Sequence, residues 1–169
     1  MAVETLPLSP IEEDLEANLK KTVGYYDSIK EFVNECVRTG LRNVYLVGAG
    51  GSLIASFPAF YLLHRMVDIP VFQIQSDEFN FGRPRALGQG SVVIIASYTG
   101  TRKETVAAAR YAKEAGATVF AACRAHSPLA EAATLAIEGS SDILELMAGY
   151  ALCEALGVDL DYSAVSETF

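Results

Sequence analysis

Five short, almost wholly apolar runs occupy residues 44–47, 71–74, 92–96, 118–122 and, more weakly, 134–137, with helix-like stretches between them. Each run is too short for a helix, and none alternates strictly between apolar and polar residues. That texture belongs to parallel strands covered on both faces. Strand–helix alternation of this kind confines the chain to an α/β fold with a mainly parallel five-stranded sheet and right-handed crossovers. The helical stretches fall at residues 52–66, 103–115, 127–133 and 142–156. Pro58 lies inside the first of them and predicts a kink or a late start there.

Ahead of the first strand run, Ser9-Pro10-Ile11-Glu12 carries the marks of a helix start: a capping serine, proline at the first helical position and glutamate three residues after the cap. Apolar residues then recur at helical spacing from Ile11 through Leu15, Leu19, Val23, Tyr26, Ile29 and Val33 to Val37, and Gly40 stops the run. The pattern fits one long amphipathic helix or two joined near Gly24. Residues 1–40 therefore read as a helical lead-in, and residues 41–169 as the α/β domain. The last helix, apolar on nearly every side, reads as core or as a subunit or domain contact. The tail from Asp159 to Phe169 is short and polar.

At 169 residues and 51% hydrophobic, the chain suits one domain able to bury a sheet between helices. Its 13 Lys+Arg against 21 Asp+Glu give a net charge of −8, which argues against nucleic acid or an anionic membrane as the main partner. No apolar run reaches the ~18 residues of a membrane span, and no basic region leads into an apolar one at the N-terminus. Cys36, Cys123 and Cys153 are odd in number and lack metal-ligand spacing. Reduced thiols in a cytoplasmic protein are the simplest account, and no metal or organic cofactor is implied.

In parallel sheets, ligands gather beyond the carboxyl ends of the strands. Two such ends stand out. In Val47-Gly48-Ala49-Gly50-Gly51-Ser52 a strand turns into a helix through glycines and a serine. Glycines let a ligand approach the amides closely, and the helix start favours an anion. The second, Ser97-Tyr98-Thr99-Gly100-Thr101-Arg102-Lys103, again follows a strand and opens a helix, now with hydroxyls at three positions. Two such turns could converge on one phosphate. Because the net charge repels anions, binding would rest on local amides and hydroxyls, with Arg102 or Lys103 in support. A dinucleotide fold competes: Gly48 and Gly50 match the first two glycines of G-x-G-x-x-G, but leucine stands at the third, and Asp77 or Glu78 would be a late ribose acid. That scheme leaves the second cluster unexplained.

With these motifs in place, residues 40–157 resemble the sugar isomerase (SIS) domain of phosphosugar enzymes and regulators. The likeness rests on the stretch from Val44 to Ser52, on Ser76-Asp77-Glu78-Phe79, on the stretch from Ser97 to Thr105, on Ala115-Gly116-Ala117 and on Ser127-Pro128-Leu129-Ala130. The segment from Asp77 to Val106, with Gly82-Arg83-Pro84 inside it, is most similar to the first SIS domain of fructosamine-6-phosphate deglycases. The isomerase half of glutamine–fructose-6-phosphate aminotransferase comes next. The resemblance implies a flavodoxin-like three-layer sandwich that binds a phosphorylated sugar, hexose 6-phosphate or fructosamine 6-phosphate. Phosphate ligands carry over to Ser52, Ser97 and Thr99, with Gly50 and Gly51 alongside and Tyr98 between the hydroxyls. Arg102 stands where the family often has threonine, and either contacts phosphate or points to solvent.

Deglycases and aminotransferase isomerases of this type have two SIS domains, and their catalytic acid and histidine resemble a Gly-Glu-x-x-x-His-Gly-Pro element in the second. No such string occurs here. Enediol chemistry at C1 and C2 needs a positioned base and a group that polarises the carbonyl. The local candidates are Glu78, either beside the sugar or paired with Arg83 or Arg85; Glu145, either sugar-facing or a helix-surface charge; and His126, in the loop after a strand. His64 reads as structural. The expectation is an isomerase- or deglycase-type enzyme incomplete for catalysis alone, partnered by a homodimer mate or a second SIS domain. A non-catalytic sugar-phosphate sensor and an NAD(P)-binding fragment are the alternatives.

Overall fold

The computed structural model describes residues 10–160. Strands β1 (Asn43–Gly48), β2 (Val71–Gln75), β3 (Ser91–Ser97), β4 (Thr118–Cys123) and β5 (Leu135–Ile137) form one sheet in the order β2-β1-β3-β4-β5. Every pairing is parallel. The inner strands β1 and β3 are buried at each position, which is why their sequences show no polar alternation. At the edge, β2 leaves Phe72 half exposed.

Successive strand residues point to opposite faces, and each face has its own helices. On one, α2 (Tyr26–Arg38), α4 (Phe57–Met66) and α8 (Ser141–Ala155) press Ile29, Val33, Leu63, Leu144 and Leu152 onto Leu46, Ile94 and Phe120. On the other, α5 (Ser76–Gly82), α6 (Lys103–Glu114) and α7 (Pro128–Ala132) set Phe79, Ala108, Ala112 and Leu129 against Tyr45, Val93, Ile95 and Val119. Burying each large side chain contributes about 1.5–3 kcal/mol. The result is the three-layer sandwich expected from the strand pattern.

The lead-in is two helices, α1 (Pro10–Val23) and α2, broken at Gly24-Tyr25. The capping residue Ser9 lies outside the described residues. Thr22 ties α1 to the last helix: its hydroxyl donates to the Asn18 carbonyl at 2.7 Å and accepts the Ser140 N–H at 3.2 Å. The first crossover is also divided, into α3 (Gly51–Ala55) and α4, with Ser56 between them. The Ser56 hydroxyl donates to the Leu53 carbonyl at 2.7 Å and accepts from Gln73 Nε2 at 2.8 Å. Pro58 sits at the start of α4, where its missing N–H costs nothing, so the late start holds.

The structure adds one helix and decides the role of another. Residues 76–82, not anticipated as a helix, form α5. The Gln75 side chain caps it by accepting the Asp77 and Glu78 N–H groups at 2.6 and 3.2 Å. Of the readings open to the apolar α8, core or a subunit or domain contact, the core one holds: it packs within the chain against α2 and α4, with eight of its residues buried.

Candidate functional site

The chain leaves β1 sideways to β2, then crosses back over β1 to β3. The carboxyl ends of β1 and β3 therefore flank the point where strand order reverses, the usual ligand position in open α/β sheets. Val47 pairs with Ile95, so the two glycine-and-hydroxyl turns emerge side by side.

In the first turn, Gly48 is required by close packing: a Cβ there would lie 2.9 Å from the Leu53 nitrogen. Gly50 has φ +58°, a left-handed value that a side chain would oppose. No atom lies within 4 Å of where a Cβ on Gly50 or Gly51 would sit. The space over this turn is open, and Ser52, half buried, stands at its far side in the first turn of α3.

The second turn is tied down by the chain after β4. The Ser97 carbonyl accepts the Gly100 N–H at 2.8 Å, the Tyr98 carbonyl accepts the Arg124 N–H at 3.2 Å, and the Gly100 carbonyl accepts the Leu129 N–H at 3.0 Å. Ser97 is buried at the strand end, while Thr99 is exposed with its hydroxyl 2.8 Å from that of Thr101. Tyr98 is 70% exposed, its ring facing out beneath the Arg124 guanidinium at 5.3 Å. Arg102 is exposed and donates to Glu104 Oε1 at 3.1 Å. The backbone N–H of Glu104 and then Arg102 hold that carboxyl below its usual range.

The catalytic candidates are scattered. Glu78 is exposed on α5 and forms no ion pair with Arg83 or Arg85 among the described residues. Arg83 instead lies 5.5 Å from the Tyr111 ring centroid. His126 is exposed after β4 with φ +57°. His64 stacks on Phe60 at 5.3 Å. Glu145 overturns the surface-charge reading: it is 0% exposed, and neither carboxyl oxygen has a hydrogen-bond partner. Burial, then the nearby Asp142, pushes its pKa well above the ordinary value. Zero exposure also leaves it no surface facing a sugar in this conformation.

The three thiols are free and buried. Burial pushes Cys36 and Cys153 up to about 11 and raises Cys123 as well. Among the described residues no group of three His, Cys, Asp or Glu side chains could hold a metal ion, and no helix is long and apolar enough to cross a membrane. A groove of ≈1000 Å³ runs between α5 and α6, past Phe81, Arg83 and Tyr111, and takes in Thr101 and Lys103 of the second turn. Another of ≈1010 Å³ lies by α2, near Thr118 and Leu135. Residues 48–52 and 97–100 line neither groove.

Two anchors of the site had no counterpart in the sequence reading. The Ser76 and Thr105 hydroxyls, buried and 3.2 Å apart, join the starts of α5 and α6. Asn80 Nδ2 adds a bond to the Glu104 carbonyl at 2.9 Å.

A parallel sandwich with two hydroxyl-bearing glycine turns at its reversal point defines a class of open α/β domains. This chain belongs to the SIS domain family, whose family model matches residues 40–158. It is 32% identical over 107 residues to the fructosamine deglycase FrlB of Bacillus subtilis, covering 62% of this chain and 33% of that protein. It is 27% identical over 136 residues to the fructoselysine 6-phosphate deglycase of Escherichia coli, covering 79% and 40%. Among solved structures, a candidate phosphosugar isomerase of Salmonella typhimurium superimposes with TM-score 0.77 at 25% identity, covering 96% of this chain and 49% of that one. The chain thus spans half or less of the length of these three relatives.

Proposed function

We propose that this domain binds a phosphorylated sugar at the paired turns and serves a phosphosugar isomerase- or deglycase-type enzyme. The observation that carries the reading is the adjacency of the two turns at the sheet's reversal point, set by the Val47–Ile95 register. Gly50 and Gly51 leave room for phosphate oxygens over the first turn, and Ser52, Ser97 and Thr99 supply hydroxyl donors. Tyr98 walls the site. Arg102 contributes at most a screened, longer-range attraction, since Glu104 already takes its charge.

The ligand is a hexose 6-phosphate or a fructosamine 6-phosphate, in keeping with the two deglycases among its relatives. In the enzyme, a base would move a proton between C1 and C2 while the site stabilises the enediolate. Neither turn carries a carboxylate or an imidazole, so this segment binds ligand with little or no turnover alone. Residues 1–40 act as the lead-in and 41–169 as one half of a double-SIS arrangement, completed by a second SIS domain or a homodimer mate. The setting is cytoplasmic, with no cofactor required.

A thermal-shift panel tests the reading. Hexose 6-phosphates raise the melting temperature, whereas unphosphorylated hexoses and NAD(P) do not. Stabilisation by NAD(P) and not by sugar phosphates would overturn it.

A further inference from the structure

The buried acid of α8 lies directly below the paired turns. The α3–α4 crossover and α8 both start at the carboxyl edge of the sheet, after β1 and β5, and pack side by side on one face. They therefore run in the same direction, and Gly149 fixes their register: a Cβ on it would lie 3.6 Å from the Ala59 Cα. One turn nearer the carboxyl edge, Glu145 stands level with Ala55, the last residue of α3. Ser52 and the first glycine turn come about one further turn up, roughly 5 Å along the axis. Helix side chains lean toward their own N-terminus, so the Glu145 carboxyl leans toward the turns.

A charge on that carboxyl would have little to offset it. Glu145 is 0% exposed and neither oxygen has a hydrogen-bond partner, so the charge is spread over no donor and screened by little solvent. α3 has no ionisable side chain, and Tyr61, His64 and Arg65 of α4 are exposed, as are Glu16, Lys20 and Lys21 of α1. β3 carries none, and Cys123 of β4 belongs to the other face of the sheet. On α2, Tyr26 and Cys36 border the same core, and Lys30 pairs at 2.8 Å with Glu154, nine residues further along α8. Cys36 and Cys153 stay neutral, their thiols pushed up to about 11. Asp142, exposed one turn earlier on α8, adds to burial in favouring the proton on Glu145. At the turns, Arg102 is already paired with Glu104.

We propose that Glu145 is a protonation switch for phosphate binding: neutral, it leaves the paired turns to the anion; ionised, it repels that anion from beneath and weakens its hold. It acts through space and touches no sugar, in keeping with its burial. The inference rests on the site reading above and adds its regulation. By linkage, a bound phosphate in turn favours the proton on Glu145. Affinity is full while the carboxyl is neutral and falls as pH rises through its ionisation.

Calorimetric titration of the 169-residue chain with fructose 6-phosphate from pH 6 to pH 9 tests it. The wild type is compared with Glu145→Gln and, separately, Glu145→Met, with melting curves showing each folded at every pH used. The second ionisation of the phosphate, at about pH 6, is common to all three and cancels in the ratio of affinities. Wild-type affinity falls at least fivefold relative to either variant between pH 6 and pH 9. Over the fall the wild type takes up protons on binding, read as a heat that changes with the ionisation enthalpy of the buffer, and neither variant does. A smaller change in the ratio overturns the switch and leaves the site standing. Fructose 6-phosphate that binds none of the three at any pH overturns the site reading and the switch with it.

Discussion

Ser127 occupies the space that a side chain on Gly100 would need. Its Oγ caps α7 by accepting the Ala130 N–H at 3.2 Å, and a Cβ on Gly100 would collide with that same Oγ. Gly100 also has φ +67°. The second glycine turn and the start of α7 are thereby interlocked, and the position of Thr99 depends on a residue 28 positions further along the chain. Gly100→Ala should cost about 2–4 kcal/mol, from backbone strain plus overpacking. Adding Ser127→Gly, which removes the obstacle and costs only a few tenths of a kcal/mol as a cap, should recover part of the loss. Urea denaturation of the single and double variants measures both. Equal stability of Gly100→Ala and the wild type would refute the interlock.

The hydroxyls, rather than the nearby guanidinium, should dominate phosphate affinity. A hydrogen bond to a charged group contributes about 1.5–3 kcal/mol, so Ser97→Ala and Thr99→Ala should each weaken hexose 6-phosphate binding roughly 10–100-fold. Arg102→Ala should weaken it no more than about threefold, because Arg102 is exposed and paired with Glu104. Isothermal titration calorimetry at 0.15 M salt ranks the three. An Arg102 variant weaker than both hydroxyl variants would reverse the assignment.

Glu145 makes stability depend on pH in an unusual direction. Its folded pKa is raised above the unfolded value, so the folded state holds a proton that the unfolded chain releases. Stability therefore falls as pH rises above the ordinary glutamate range, and goes on falling until the folded pKa is passed. Glu145→Met removes the buried carboxyl with little change in volume and should stabilise by about 1–3 kcal/mol at pH 8. The gain should be smaller at pH 5, nearer the ordinary glutamate range, than at pH 8. Melting curves across that range decide; a gain that does not grow with pH contradicts a buried, unpartnered acid.

The sheet was legible because β1, β3 and β4 are inner strands, whose apolar runs have no solvent-facing positions to interrupt them. Gly50 and the 97–101 hydroxyls were legible for the opposite reason: nothing in a buried core requires them. Three features were not. α5 begins directly at the end of β2, capped by the side chain of Gln75, and glutamine is not among the residues that usually mark a helix start. The division at Ser56 depends on Gln73 arriving from another strand. Glu145 sits in a helix apolar nearly all round, where sequence cannot say which side its carboxyl faces. Packing of α8 against α4 turned it inward.

The adjacency of the two turns is open to direct measurement by titrating isotopically labelled protein with fructose 6-phosphate and following backbone amide resonances. The account predicts that the amides of Gly50, Gly51 and Ser52 and those from Ser97 to Thr99 shift together, with one shared dissociation constant. Shifts confined to a single turn, or centred on the groove between α5 and α6, would contradict it.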